Sequence, residues 1–252
     1  MELILVRPLN RRGRRSGDRD DHENATEQGL GPRCESRCHA VTSPERLQRQ
    51  PRRTPVLLAA VIYLAIWTAA AISPVDRFDW LLENLLVFAL IAALLASYRR
   101  FPLSNASYLC MLAFLAMHAV GAHYTYAATP FGFAISGMLG FTRNHYDRIA
   151  HFAFGLLFVY PVREVLMRTS NLRGARLAFV TIAMLLASSA AYELVEWWVA
   201  LIVDPHAAYA YLGTQGDVFD AQKDESWALA GACGGVALLG VVARCRACRK
   251  PS

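Results

Sequence analysis

Beyond residue 55 the chain alternates between long apolar runs and short polar clusters. A helix needs about 20 apolar residues to cross a bilayer core, and six runs meet or approach that length. They are Val56–Ser73, closed by Pro74; Leu81–Ser97, interrupted by Glu83 and Asn84; Leu103–Tyr126; Ile149–Met167, with Pro161 and an Arg163-Glu164 pair; Ala175–Val203; and Ser226–Ala243. The fifth is long enough to tilt or project beyond the bilayer. The Gly and Ala of the sixth suit close helix packing. The pattern predicts an all-α membrane protein, a six-transmembrane-helix bundle over residues 56–243. Residues 1–55 lack apolar periodicity and predict a disordered basic cytoplasmic tail. Residues 244–252 predict a second, short basic tail.

Composition sharpens this division. The 252 residues are 55% hydrophobic and 18% charged, yet residues 1–55 alone hold 12 of the 26 Lys+Arg and 8 of the 20 Asp+Glu. This excludes a soluble globular enzyme. The net charge of +6 divides into +4 in the leading segment and +2 in the rest, so no nucleic-acid partner is expected. The 6 Cys have no framework spacing, which excludes a disulfide-stapled domain. Cys245-Arg246-Ala247-Cys248 lacks the second pair a zinc site needs.

Lys and Arg also predict orientation, because cytoplasmic flanks carry the excess. Thirteen of them flank one side: Arg46, Arg49, Arg52 and Arg53, then Arg99 and Arg100, then Arg168, Arg173 and Arg176, then Arg244, Arg246, Arg249 and Lys250. Four flank the other: Arg77, Arg143, Arg148 and Lys223. Both termini are therefore expected in the cytoplasm, in a bacterial inner membrane.

With that orientation the polar residues gather at the outer side. Ionisable groups inside a span cost about 2.5–3.5 kcal/mol each on insertion scales and default to a functional site. Asp147 and His151 are four apart and Glu193 and Glu196 three apart, so each pair shares a helix face. Asp217, Asp220 and Asp224 recur at i, i+3 and i+7, one stripe if that segment is helical. His118 lies about 12 Å below the end of its helix, at a depth where it could meet Glu193. Imidazole with carboxylate suits Zn, Mn or Fe, and a divalent cation would relieve repulsion among the carboxylates. His118, His151, Asp147, Asp217 and Asp220 are the candidate ligands. Glu193 or Glu196 is the candidate general base. Glu83, His123, His145, Gln215 and Asp224 are further site candidates. The competing reading is a network in which His pairs with Asp or Glu to fix helix register.

Other features read more simply. His145 is expected at the interface and His206 in solvent. Gly213 and Gly216 bracket Thr214-Gln215 and fit a tight turn, a possible ligand loop. Tyr192, Trp197, Trp198 and Trp227 read as an aromatic belt.

Three stretches also carry a resemblance. Asn144-His145-Tyr146-Asp147-Arg148-Ile149-Ala150-His151-Phe152, Glu193-Leu194-Val195-Glu196-Trp197, and Leu212-Gly213-Thr214-Gln215-Gly216-Asp217 through Asp224 resemble the YjdF-like family of bacterial inner-membrane proteins. The resemblance covers about residues 56–243, with Phe219 where that family commonly has Trp. It implies a multi-helix inner-membrane protein and supplies no substrate. The order Asp147, His151, Glu193, Asp217/Asp220 is more loosely similar to VanZ-like membrane proteins.

The leading expectation is a metal-dependent membrane-embedded hydrolase acting on a lipid or envelope substrate. The alternative is a non-catalytic transporter, carrier or envelope scaffold using the same residues, with Arg163-Glu164 as an inner gate.

Overall fold

The computed structural model describes residues 53–248, and these form eight α-helices and no strand. Six are long and apolar enough to cross a membrane. These are α1 (Arg53–Ala71), α2 (Arg77–Ser97), α3 (Asn105–His123), α5 (Tyr146–Thr169), α6 (Gly174–Ala200) and α8 (Asp220–Cys248). Two short helices, α4 (Pro130–Met138) and α7 (Pro205–Leu212), fall in the connections before α5 and α8. The leading segment lies outside the described residues except at 53–55, which already belong to α1. At the other terminus α8 continues to Cys248, into the residues expected as a tail.

Helices α2, α5 and α8 start earlier than their apolar runs, for an electrostatic reason. Carboxylates are favoured in a helix's first turn, where unpaired amides carry partial positive charge. Asp79, Asp147 and Asp220 occupy the first turns of α2, α5 and α8. Asp76 caps α2 by accepting from the amides of Phe78 and Asp79. A hydropathy scan discards such turns, so it begins these spans at Leu81, Ile149 and Ser226 instead.

Helices α3 and α5 form the centre. The apolar window of each is 39% buried, against 11% for α1. The closest helix pair is α5 with α8. A Cβ on Gly155 would collide with the backbone of Ala228 and Ala232, and one on Gly231 with that of Phe152 and Leu156. Small residues here allow the two backbones to touch, the usual means of helix association in lipid. Val159, Leu185 and Ala232 join α5, α6 and α8 in one buried cluster, and Tyr63, Val87 and Leu115 join α1, α2 and α3 in another. Large apolar side chains such as Leu95 and Phe179, each 72% exposed, cover the outside. A bundle with that coat fits lipid, not water.

Alternating crossings bring the α1–α2 turn and the segments containing α4 and α7 to one end, called here the upper end. Val75 N–H donates to the carbonyl of His123 at 2.9 Å, fastening that turn to α3. At the lower end, Glu164 of α5 accepts from the Ser104 amide (2.8 Å) and hydroxyl (2.7 Å), the Ser107 hydroxyl (2.5 Å) and Arg168 (3.2 Å). These contacts bear on the expected Arg163-Glu164 gate. Adjacent positions on a helix point about 100° apart, and Glu164 turns inward to Ser104, Ser107 and Arg168.

Candidate functional site

The upper end collects the polar residues into two connected groups. In the first, Asp147 of α5 and Asp220 and Asp224 of α8 each offer one carboxylate oxygen, all within 4.8 Å of one another. Asp220 and Asp224 are buried, and Asp224 Oδ1 has no hydrogen-bond partner. His151, one turn along α5 from Asp147, holds Nε2 at 3.6 Å from Asp147 Oδ1 and 3.4 Å from Glu193 Oε1. Its Nδ1 lies 3.2 Å from the Ser189 hydroxyl, so α6 orients the ring.

Arginines answer these carboxylates. Arg143 pairs with Asp220 and donates to the Thr214 carbonyl. Arg148 donates to Asp217 at 2.7 Å, and its Nε lies 3.9 Å from Asp224. Lys223 donates to Asp217 at 2.6 Å. With Lys223 and Arg148 beside it, the Asp217 carboxyl is held down to about 2. Asp217 thus serves the arginines, and it precedes α8 instead of sharing the stripe of Asp220 and Asp224. The i, i+3, i+7 expectation holds only from Asp220 onward, because the helix starts there.

In the second group, Glu83 of α2 accepts from the Tyr192 hydroxyl at 2.8 Å. Tyr192 is therefore part of the interior, not of the aromatic belt; Trp197, Trp198 and Trp227 are exposed as a belt requires. Glu196 lies within electrostatic range of Glu193, Asp147 and Glu83, which ties the two groups together. Asp79, one turn before Glu83, is buried with both oxygens lacking hydrogen-bond partners. Buried Tyr211 of α7 feels Glu83, Glu196 and Asp79 from above.

His118 does not meet Glu193. Its Nε2 lies 3.1 Å from the Glu83 carbonyl, and its Nδ1 lies 2.6 Å from the Tyr126 hydroxyl. A carbonyl can only accept, so Nε2 carries the proton and Nδ1 accepts from Tyr126. Burial, reinforced by Glu83, pushes the Tyr126 hydroxyl well up, keeping it a donor. Both nitrogens of His118 are thus engaged, by the Glu83 carbonyl and the Tyr126 hydroxyl. His123 donates through Nδ1 to the Ala70 carbonyl at 2.8 Å and is a fastener between α3 and α1.

The remaining candidates hold the loops. Gln215 accepts from the Asn144 amide and donates to the Asn144 carbonyl, both at 3.0 Å. The tight turn expected around Thr214-Gln215 is present, with positive φ at Gly213, Gln215 and Gly216, and the Gln215 side-chain amide is spent on the chain itself. Asn144, 1% exposed, also donates to the Thr129 carbonyl and accepts from the Tyr146 amide. His145 stacks near Phe141, with ring centroids 4.8 Å apart. Burial and then Arg148 push its pKa down. His206 is exposed, as expected.

Arg143, Arg148, Asn144, Ser189 and Asp79 were not among the sequence candidates. Acidic first turns could have signalled Asp79. For the arginines the only signal was their nearness to Asp147.

The comparisons agree with this architecture. Over 181 residues the chain is 40% identical to the inner membrane protein YjdF of Escherichia coli (strain K12), spanning 71% of this chain and 86% of that protein. No solved structure matches it. Together with six membrane-length helices, this makes it a multi-pass membrane protein. Residues 55–245 match the family described as predicted membrane protein (DUF2238), and the chain belongs to that family, YjdF-like in character.

Proposed function

We propose that this protein is a divalent-cation-dependent hydrolase embedded in the inner membrane, acting at its upper end on a lipid or envelope substrate. The observation that carries the reading is the convergence of Asp147, Asp220 and Asp224 within 4.8 Å, with a buried Asp224 oxygen lacking any hydrogen bond. Charge supports it too. Five carboxylates (Asp147, Asp217, Asp220, Asp224 and Glu193) adjoin three cationic side chains (Arg143, Arg148 and Lys223). Carboxylates outnumber cations there, the more so with Glu196 in range, and a divalent ion would relieve their repulsion. Three oxygens and a nearby imidazole suit Mn best among Zn, Mn and Fe.

In this reading Asp147, Asp220 and Asp224 would hold the cation, which would supply Lewis-acid activation of a water, with His151 beside Asp147 and Glu193. Glu193 takes a proton from the attacking water, and the water oxygen bonds to the electrophilic centre of an ester. The ester bond breaks, and Glu193 returns the proton to the departing oxygen. Glu196 and Glu83 stand behind it, connected through Tyr192. The upper end faces the periplasm and both termini the cytoplasm, supported by the Lys/Arg asymmetry.

The carrier alternative needs a polar path through the bundle. Phe114, Phe154 and Phe158 stack in the middle, between the upper carboxylates and Glu164. That seal favours a one-sided site.

Elemental analysis of full-length protein purified with Mn, Zn or Fe tests the reading. A roughly 1:1 divalent metal content is expected, lost in Asp224→Asn and in Asp147→Asn. Wild-type protein free of metal under every supplement would overturn it.

A further inference from the structure

The lower end carries a polar feature that the upper site does not use. A pocket of about 500 Å3 opens between the α2–α3 and α5–α6 connections. Its volume lies within the roughly 300–1,000 Å3 of small-molecule sites. Phe101, Arg168, Thr169, Asn171 and Arg173 are among its walls, and no carboxylate lines it.

Its two arginines are held but not used up. Arg168 lies 3.8 Å over the Phe101 ring and spends Nη1 on the Pro102 carbonyl (2.6 Å) and Glu164 (3.2 Å). Arg173 spends Nη1 on the Leu172 carbonyl at 2.7 Å. The Nε and Nη2 groups of both make no hydrogen bond among the described residues, so each presents a free donor edge. Helix α6 begins beside Arg173, with 27 residues, no side-chain cap and no acidic residue in its first turn. Its first amides are thus unpaired and carry the positive end of the helix dipole. Arg99 and Arg100 add exposed positive charge at the same end.

We propose that this pocket binds the phosphate of an anionic phospholipid headgroup. The free edges of Arg168 and Arg173 grip its oxygens, and the α6 N-terminus completes the donor set. The location agrees, because the pocket sits where the spans end and headgroups begin. The neighbouring apolar helix surface would take the acyl chains. Basic pockets between membrane helices are a recognised setting for such headgroups.

The test is native mass spectrometry of the full-length protein in neutral detergent. It is titrated separately with phosphatidylglycerol, with phosphatidylcholine of the same acyl chains, and with inorganic phosphate. Wild type should retain phosphatidylglycerol over phosphatidylcholine. Arg173→Gln should weaken that retention by about fivefold and Arg173→Lys should restore part of it. Arg173 is exposed, so both variants should fold, which an unchanged melting midpoint would show. Arg176→Gln removes the same charge outside the pocket and should leave retention unchanged. Equal retention of both lipids, no loss in Arg173→Gln, or an equal loss in Arg176→Gln would each overturn the site. Inorganic phosphate binding as tightly as the lipid would overturn the lipid assignment in favour of a free-phosphate site.

Discussion

Gln215 and Asn144, 71 residues apart, clasp each other through a pair of 3.0 Å hydrogen bonds: the Gln215 side-chain amide accepts from the Asn144 N–H and donates to its carbonyl. The clasp sets the Gln215 loop against the start of α5, and so sets Asp217 and Asp220 against Arg143 and Arg148. Gln215 adopts φ 48° to make it, a conformation uncommon for a residue with a side chain. Gln215→Ala leaves the buried Asn144 backbone without partners and should cost about 1–3 kcal/mol. Thermal unfolding in detergent reads this. Gln215→Glu should do worse than a neutral loss, since a carboxylate cannot donate to the Asn144 carbonyl.

The clasp also marks where sequence reasoning stops. Six spans were legible because lipid demands about 20 apolar residues each. Asp147–His151 and Glu193–Glu196 were legible because helix periodicity alone puts them on a face. The Arg143–Asp220 and Arg148–Asp217 pairs, 77 and 69 residues apart, were not, because helix packing and not local pattern brings them together. Tyr192 illustrates the same limit. A Tyr near a span end reads as belt, and only the position of α2 shows that its hydroxyl meets Glu83.

The α5–α8 contact allows a paired comparison of glycines. Gly155→Val and Gly231→Val drive a side chain into the facing backbone and should destabilise by about 1–3 kcal/mol or more. Gly240 lies in the same α8, yet a Cβ there meets nothing. Gly240→Val should therefore stay within about 0.5 kcal/mol of wild type. Equal midpoints for Gly231→Val and Gly240→Val would contradict the close approach.

Asp217 yields a pH prediction. Its carboxyl is held below its ordinary value by Lys223 and Arg148, so the unfolded chain binds a proton before the folded one does. Its contribution is complete above the ordinary carboxylate value of about 3.9 and disappears as pH falls through about 2. The stability difference between wild type and Asp217→Asn should be flat above that range and close progressively below it. A gap that widens on acidification would reverse the assignment.

Orientation can be read with fusions. An alkaline phosphatase reporter is active only when exported, so it should be active after Pro205 and silent after Asn171. Those positions lie at the two ends of α6, which makes the pair self-checking. Activity after Asn171 with silence after Pro205 would place the Asp147–Asp220–Asp224 site on the cytoplasmic side and remove its access to an envelope substrate.

Glu164 separates a structural carboxylate from a transport gate. It is 2% exposed and accepts from Ser104, Ser107 and Arg168. Removing one partner of a buried charge pair leaves the other uncompensated, at about 3–5 kcal/mol. Glu164→Leu should therefore lower the melting midpoint steeply. Glu164→Gln should lose less, because it keeps the shape and can still accept from Ser104. A proton gate behaves otherwise: removing its charge abolishes transport while sparing, or raising, stability. Metal content at the upper end should survive Glu164→Gln in the fraction that remains folded. The aromatic rings of Phe114, Phe154 and Phe158 pack against one another between the two ends.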